Sequence, residues 1–254
     1  MNFTWLSSNL SWILELTLAH LWLTVVPTVL GLAIALPLGW WAHQAPRLYG
    51  FIVGTSGLFY TIPSLAFFVL LPGVIGTRIL DPINVVIALT IYTIALMVRV
   101  VADGLAAVPR ETVEAAEAMG YRAFQRFLRV QLPVAVPVIL AGLRVAVVSN
   151  ISIVTMAAII GVQQLGSLFT QGYSLGLLTP IVTGILLCLA IAVVLDMFIL
   201  WLSRTLTPWR PAAGTSGTAG KRTSGTSGKR TSGTSGKRSK TSAAPAAAER
   251  GVPA

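Results

Sequence analysis

The chain has one cysteine, two histidines and no lysine before residue 221. Cys188 sits inside an apolar run, so no intrachain disulfide and no thiolate metal site can form. His20 and His43 are each flanked by apolar residues and are expected at a membrane interface, not on a metal. Charged residues are only 10% of the 254, far below the roughly 25% of a soluble domain. No G-x-x-x-x-G-K-[ST] loop is present, so the chain has nothing with which to hydrolyse a nucleotide. Gly220-Lys221 and Gly228-Lys229 are by-products of a repeat. The opening MNFTWLSSNLSWILE has neither a positive n-region nor an A-x-A-like site, which argues against a cleaved signal peptide. No Asp, His and Ser grouping within a span would serve an intramembrane enzyme. No metal and no cofactor is expected.

What is abundant is apolar: 55% of residues, with a mean hydropathy of +0.80. A membrane-spanning helix needs about 20 such residues. Five stretches qualify: Leu16 to Trp41, Phe51 to Leu71, Ile83 to Leu105, Val134 to Gly161 and Pro180 to Ser203. The expected fold is therefore an all-α polytopic membrane protein with about five transmembrane helices. Residues 1–15, with Trp5, Leu10 and Trp12, are expected to lie in the interface.

Arginine sets the orientation. Arg47, the group Arg110, Arg122, Arg126 and Arg129, and then Arg204 and Arg210 fall on one side, whereas Arg78 on the other is offset by Asp81. The positive-inside bias puts the N-terminus outside and the C-terminus in the cytoplasm. Trp40, Trp41, Trp201 and Trp209 fall where an aromatic belt belongs. Pro27, Pro37, Pro63, Pro137 and Gly142 interrupt spans and require a packed bundle to re-satisfy the backbone. Gly31, Gly39, Gly54 and Gly57 are expected to let helices approach closely.

The +10 net charge belongs mostly to the tail. Residues 211–254 hold eight of the 18 basic residues and one Glu. TSGTAGKR and two copies of TSGTSGKR follow one another there. With no apolar residue to bury, this repeat is expected to be a disordered extension. It is expected to be a solvated, dispensable extension, with anionic lipid as the alternative contact; nucleic acid is not an expected partner.

One polar island interrupts the apolar runs. Glu111 to Pro133 reads ETVEAAEAMGYRAFQRFLRVQLP. Pro109 and the acidic residues 111, 114 and 117 suit a helix start, and Gly120 suits a sharp turn. Beyond it Phe124, Phe127 and Leu128 share one face, while Arg122, Arg126 and Arg129 share the other. Two short amphipathic helices at the cytoplasmic membrane edge are expected.

Their spacing carries a resemblance. Glu114-Ala115-Ala116, three residues, Gly120, nine residues and then Val130-Gln131-Leu132-Pro133 is similar to the EAA-x3-G-x9-I-x-L-P loop of the membrane subunits of bacterial ABC importers. Only Val130 departs, conservatively. The likeness covers roughly Leu16 to Leu206. In Tyr60-Thr61-Ile62-Pro63-Ser64-Leu65-Ala66 and GLRVAVVSNISIVTMAAIIG it resembles most the permeases for glycine betaine, carnitine and choline. Gln163-Gln164 stand where that family has a Gly-Gly pair.

The resemblance implies an ABC type I importer permease bundle (residues 16–210) in a bacterial cell membrane. It implies a cytoplasmic ATP-binding subunit that binds the ATP, a second permease copy or paralogue, and an extracytoplasmic substrate-binding protein. Glu114, Ala115, Ala116, Gly120, Phe124, Leu132 and Pro133 would form the contact that couples the ATPase to the bundle. The alternatives are a permease for methionine or another small nutrient, and, in another class, a membrane scaffold that recruits partners through its basic tail.

Charges within spans are costly and call for partners. Arg99 and Asp103, four apart, share a helix face. With Arg144 and Asp196 they are expected in one cytoplasmic-half layer, Arg144 pairing with Asp196 or Asp103. Ser149, Asn150, Ser152 and Thr155 make span four the most polar and are candidates either to line a pathway or to bond between helices. Phe59, Tyr60, Phe67 and Tyr92 offer aromatic faces to a quaternary ammonium group.

Overall fold

The computed structural model describes residues 3–208 apart from residue 79; side chains at 3, 46–48, 53, 56, 59 and 60 lie outside the description. Within these bounds every regular element is helical. A short α1 (Phe3–Ser8) precedes α2 (Leu10–Gln44). At about 1.5 Å per residue the 35 residues of α2 extend roughly 50 Å, well beyond a hydrocarbon core of about 30 Å. The expected interfacial segment is thus divided: residues 10–15 open the first spanning helix, and Ile13 and Leu16 are buried in the core.

The second expected span is not one helix. Its residues divide between α3 (Pro46–Thr61) and α4 (Ser64–Ile75). Pro63 pushes the residue before it out of the helical region, and Ile62 is extended at φ −70°, ψ 128°. The carbonyl of Ile62 accepts instead from the Tyr92 hydroxyl at 2.5 Å. Among the described residues four helices are each long and apolar enough to cross a membrane, and α3 with the shorter apolar α4 covers the remaining stretch of the about five expected.

The bundle is organised around α5 (Pro82–Ala106), which packs against α2, α3, α4 and α8 (Leu132–Met156). Asp81 caps it by accepting from the Ile83 N–H at 3.0 Å. Missing side chains set the helix spacing. A Cβ at Gly31 would lie 2.5 Å from Thr93 Cβ, one at Gly39 2.6 Å from Val101 Cγ1, and one at Gly142 2.4 Å from Val100 Cγ1. α2 and α8 therefore approach α5 closely because these positions are glycine. Gly54 and Gly57 do not act this way, since a Cβ on either meets open space. The largely exposed α10 (Leu178–Leu206) packs against α8 and against the short α9 (Ser167–Leu175). The repeat tail lies outside the described residues.

Candidate coupling site

The polar island folds as α6 (Arg110–Ala118), a turn, α7 (Ala123–Arg126) and a π-helical turn over Phe127–Gln131 that runs into α8. Gly120 makes the turn at φ +82°, a left-handed conformation that costs any other residue a Cβ clash. Pro133 has no N–H to give the carbonyl one turn back. The widened turn just before it absorbs that loss, and the Leu132 N–H reaches back to Phe127 O.

Glu117 and Arg126 form an ion pair across the turn, stitching α6 to α7. Glu114 is exposed and accepts from Arg110 Nε at 3.1 Å. Ala115 is exposed, but Ala116 is buried against the bundle. The expected two-faced second helix is corrected in part. Phe127 and Arg126 turn inward, while Phe124 and Leu128 remain exposed. Met119 at 69%, Phe124 at 57% and Leu128 at 45% exposure give the loop an apolar outer surface beside Glu114. The loop rests on aromatic rings: Trp40, near the end of α2, lies edge-on to Phe124 at 5.8 Å and 5.2 Å from Phe127.

The intramembrane charges fall into two separate pairs. Arg144 binds Asp196 through two hydrogen bonds, Nε to Oδ1 at 2.5 Å and Nη2 to Oδ2 at 2.7 Å. Arg99 and Asp103 approach at 3.6 Å on their own, and Asp103 also accepts from the Tyr49 hydroxyl at 2.6 Å. The Arg144–Asp196 pair is only partly covered and lines an open groove between α8 and α10 with Ala141, Val145, Val148 and Ser149.

The four polar residues of span four also separate. Asn150 is buried and donates to Thr28 Oγ1 and Thr93 Oγ1, both at 2.9 Å, locking α2, α5 and α8 together. Of the two roles expected for it, bonding between helices is the one seen here. Ser152 is exposed, and Ser149 and Thr155 are partly so. Tyr92 is buried and meets Phe67 edge-on at 5.8 Å; Phe59 and Tyr60 fall among the side chains outside the description.

Sequence patterning did not foresee the outer knot. His20 is fully buried rather than interfacial, and its Nδ1 lies 3.1 Å from Gln164 Oε1. Gln164 Nε2 in turn donates to Thr155 O at 3.2 Å. The Gln163-Gln164 pair was the one available signal.

Comparison with known proteins now decides the class. Residues 16–208 match the family described as "Binding-protein-dependent transport system inner membrane component". The chain belongs to this family. This inner-membrane component is 34% identical over 203 residues to the osmoprotectant import permease protein OsmW of Salmonella typhimurium, covering 79% of this chain and 94% of that protein. It is 29% identical to the glycine betaine/carnitine/choline transport system permease protein OpuCD of Bacillus subtilis, over 83% of this chain and 91% of that one. The fold matches a chain of the inward-facing MetNI methionine ABC transporter with a TM-score of 0.70 and 22% identity, over 77% of this chain and 97% of that chain. The inner-membrane component is thus a transport permease of a binding-protein-dependent system.

Proposed function

We propose that this permease subunit forms the pathway of an ATP-driven importer for osmoprotectants of the glycine betaine, carnitine and choline class. A separate cytoplasmic subunit binds and hydrolyses the ATP, and a substrate-binding protein delivers the cargo from outside. The coupling surface carries this reading. At the cytoplasmic end of the bundle, Glu114, Ala115, Met119, Phe124 and Leu128 are held outward around the positive-φ Gly120. Exposed aromatic and methionine side chains on a braced turn suit a protein groove. Leu132 and Pro133 connect that surface to α8, so a displacement of the loop is transmitted to the span holding Arg144, Ser149 and Ser152.

The groove beside the Arg144–Asp196 pair supports a second permease copy or paralogue opposite it. An ion pair and serines left facing hydrocarbon would be costly, whereas a facing subunit and a wet pathway would solvate them. The substrate class rests on the names of the curated relatives. The methionine transporter, at 22% identity, supports the shared fold only.

Two measurements test the proposal. Co-purification with the ATPase subunit should be lost in Glu114→Lys and Gly120→Pro; full assembly and full transport-coupled ATPase in both would refute the coupling role. Radiolabelled glycine betaine should enter vesicles and be displaced by carnitine or choline but not by methionine; the reverse pattern would reassign the cargo.

A further inference from the structure

Behind the coupling loop, where the cytoplasmic ends of α2 and α5 meet α6 and the π turn, lies a cavity of about 340 Å³. Its polar walls are His43, Gln44, Arg126 and Gln131, with Arg110 at the rim. Gln131 is only 3% exposed, yet its Oε1 has no hydrogen-bond partner among the described residues. The Arg126 side chain is 14% exposed. One of its terminal nitrogens engages Glu117, but its Nε is buried and unpartnered. A buried acceptor and a buried cationic donor left unmet are expensive in a protein interior. No acidic side chain is among the residues that line the cavity: Glu114 and Glu117 hold Arg110 and Arg126 but do not line it.

We propose that this cavity binds a phosphate group carrying a neighbouring hydroxyl. Phosphate oxygens would accept from Arg126 Nε and from a His43 N–H, and the hydroxyl would donate to Gln131 Oε1. Two sources supply this chemistry. One is the headgroup of a hydroxylated anionic lipid of the cytoplasmic leaflet, such as phosphatidylglycerol, whose phosphate lies at the level of the Trp40 belt. The other is free hydrogen phosphate. Either ligand would tie α2, through His43, to α7 and the π turn, through Arg126 and Gln131, and so hold the coupling surface in its seated position. A lipid at this point would make the coupling of the bundle sensitive to the composition of its membrane.

The test uses the full-length permease purified in detergent, with the thermal unfolding midpoint followed against ligand concentration. Short-chain phosphatidylglycerol, phosphatidylcholine of the same chain length and inorganic phosphate are the three probes. Phosphatidylglycerol, inorganic phosphate or both should raise the midpoint saturably, and phosphatidylcholine should not. Gln131→Leu, which removes the buried acceptor, should raise the half-saturating concentration about tenfold, the weight of one hydrogen bond to a charged ligand. His43→Gln should weaken binding less. If Gln131→Leu starts from a lowered midpoint, the near-isosteric Gln131→Glu replaces it, and its charge should abolish the anion's effect. A response to phosphatidylglycerol alone assigns the lipid source; a response to inorganic phosphate assigns the free anion. No shift with either, or shifts unchanged in both Gln131 and His43 variants, would overturn the site. The readout does not involve transport, so it can fail while the permease reading stands.

Discussion

Asn150 and Gly120 show how single residues divide the work between holding the bundle and serving it. Asn150 donates to two threonines whose own hydroxyls already bond back to the carbonyls of Thr24 and Leu89. Asn150→Leu therefore leaves no buried donor stranded, and the loss is that of two interhelical bonds at about 0.6 kcal/mol each. The variant should unfold a few degrees lower in a thermal melt with its substrate preference intact. Ser152→Trp is the contrast: it faces outward, so stability should hold while uptake falls to background. Gly120 has open space around an added Cβ, so its constraint is backbone conformation alone. Gly120→Ala should cost about 1–2 kcal/mol of loop stability. It should weaken ATPase co-purification without lowering the melting temperature of the bundle.

At the scale of elements, the Arg144–Asp196 fork bridges α8 and α10 with two parallel bonds, the geometry in which an arginine matches a carboxylate. Asp196→Asn leaves Arg144 with a neutral partner inside the membrane region and should reduce uptake several-fold. The exchange Arg144→Asp with Asp196→Arg should restore a large part of it. Failure of the exchange together with normal folding of both single variants would show that the pair does not act as a unit. The α2–α5 contact makes a second forecast. Gly39→Leu must displace Val101 and the Val98 carbonyl, 2.6 and 3.0 Å from a first Cβ, and overpacking of this kind costs about 1–3 kcal/mol. The level of folded protein in the membrane should drop accordingly. The same scale explains what the sequence made legible. Length and hydropathy mark α2, α5, α8 and α10, because each is a long apolar run that stays helical through any proline within it. They miss the break at Ile62-Pro63, because a hydropathy window averages over a proline whose effect is confined to one residue before it. Spacing located Glu114, Gly120 and Pro133 within one loop. It did not show that Ala116 and Arg126 turn inward, because Ala116 is buried by tertiary packing and an ion pair between residues nine apart has no local signature. His20 was misplaced for a similar reason: its partner, Gln164, is far away in sequence.

Across the whole molecule, the family match ends at residue 208, just before the basic repeats begin. A permease needs its spans, its coupling loop and a facing subunit. A scaffold needs whatever its tail recruits. Seven Lys and Arg lie between residues 221 and 240, and each such charge near an anionic membrane surface would contribute about 1 kcal/mol of attraction. None of them is in the coupling loop or in a span. Truncation after Arg210 should therefore leave membrane insertion, co-purification with the ATPase and glycine betaine uptake within about twofold of the full chain. The isolated tail peptide should bind vesicles containing phosphatidylglycerol and release them as salt rises, since exposed charges are screened within about 10 Å at 0.1 M. Loss of uptake on truncation, with the bundle still folded and still bound to its ATPase, would make the tail a working part of the transporter and return weight to the scaffold reading.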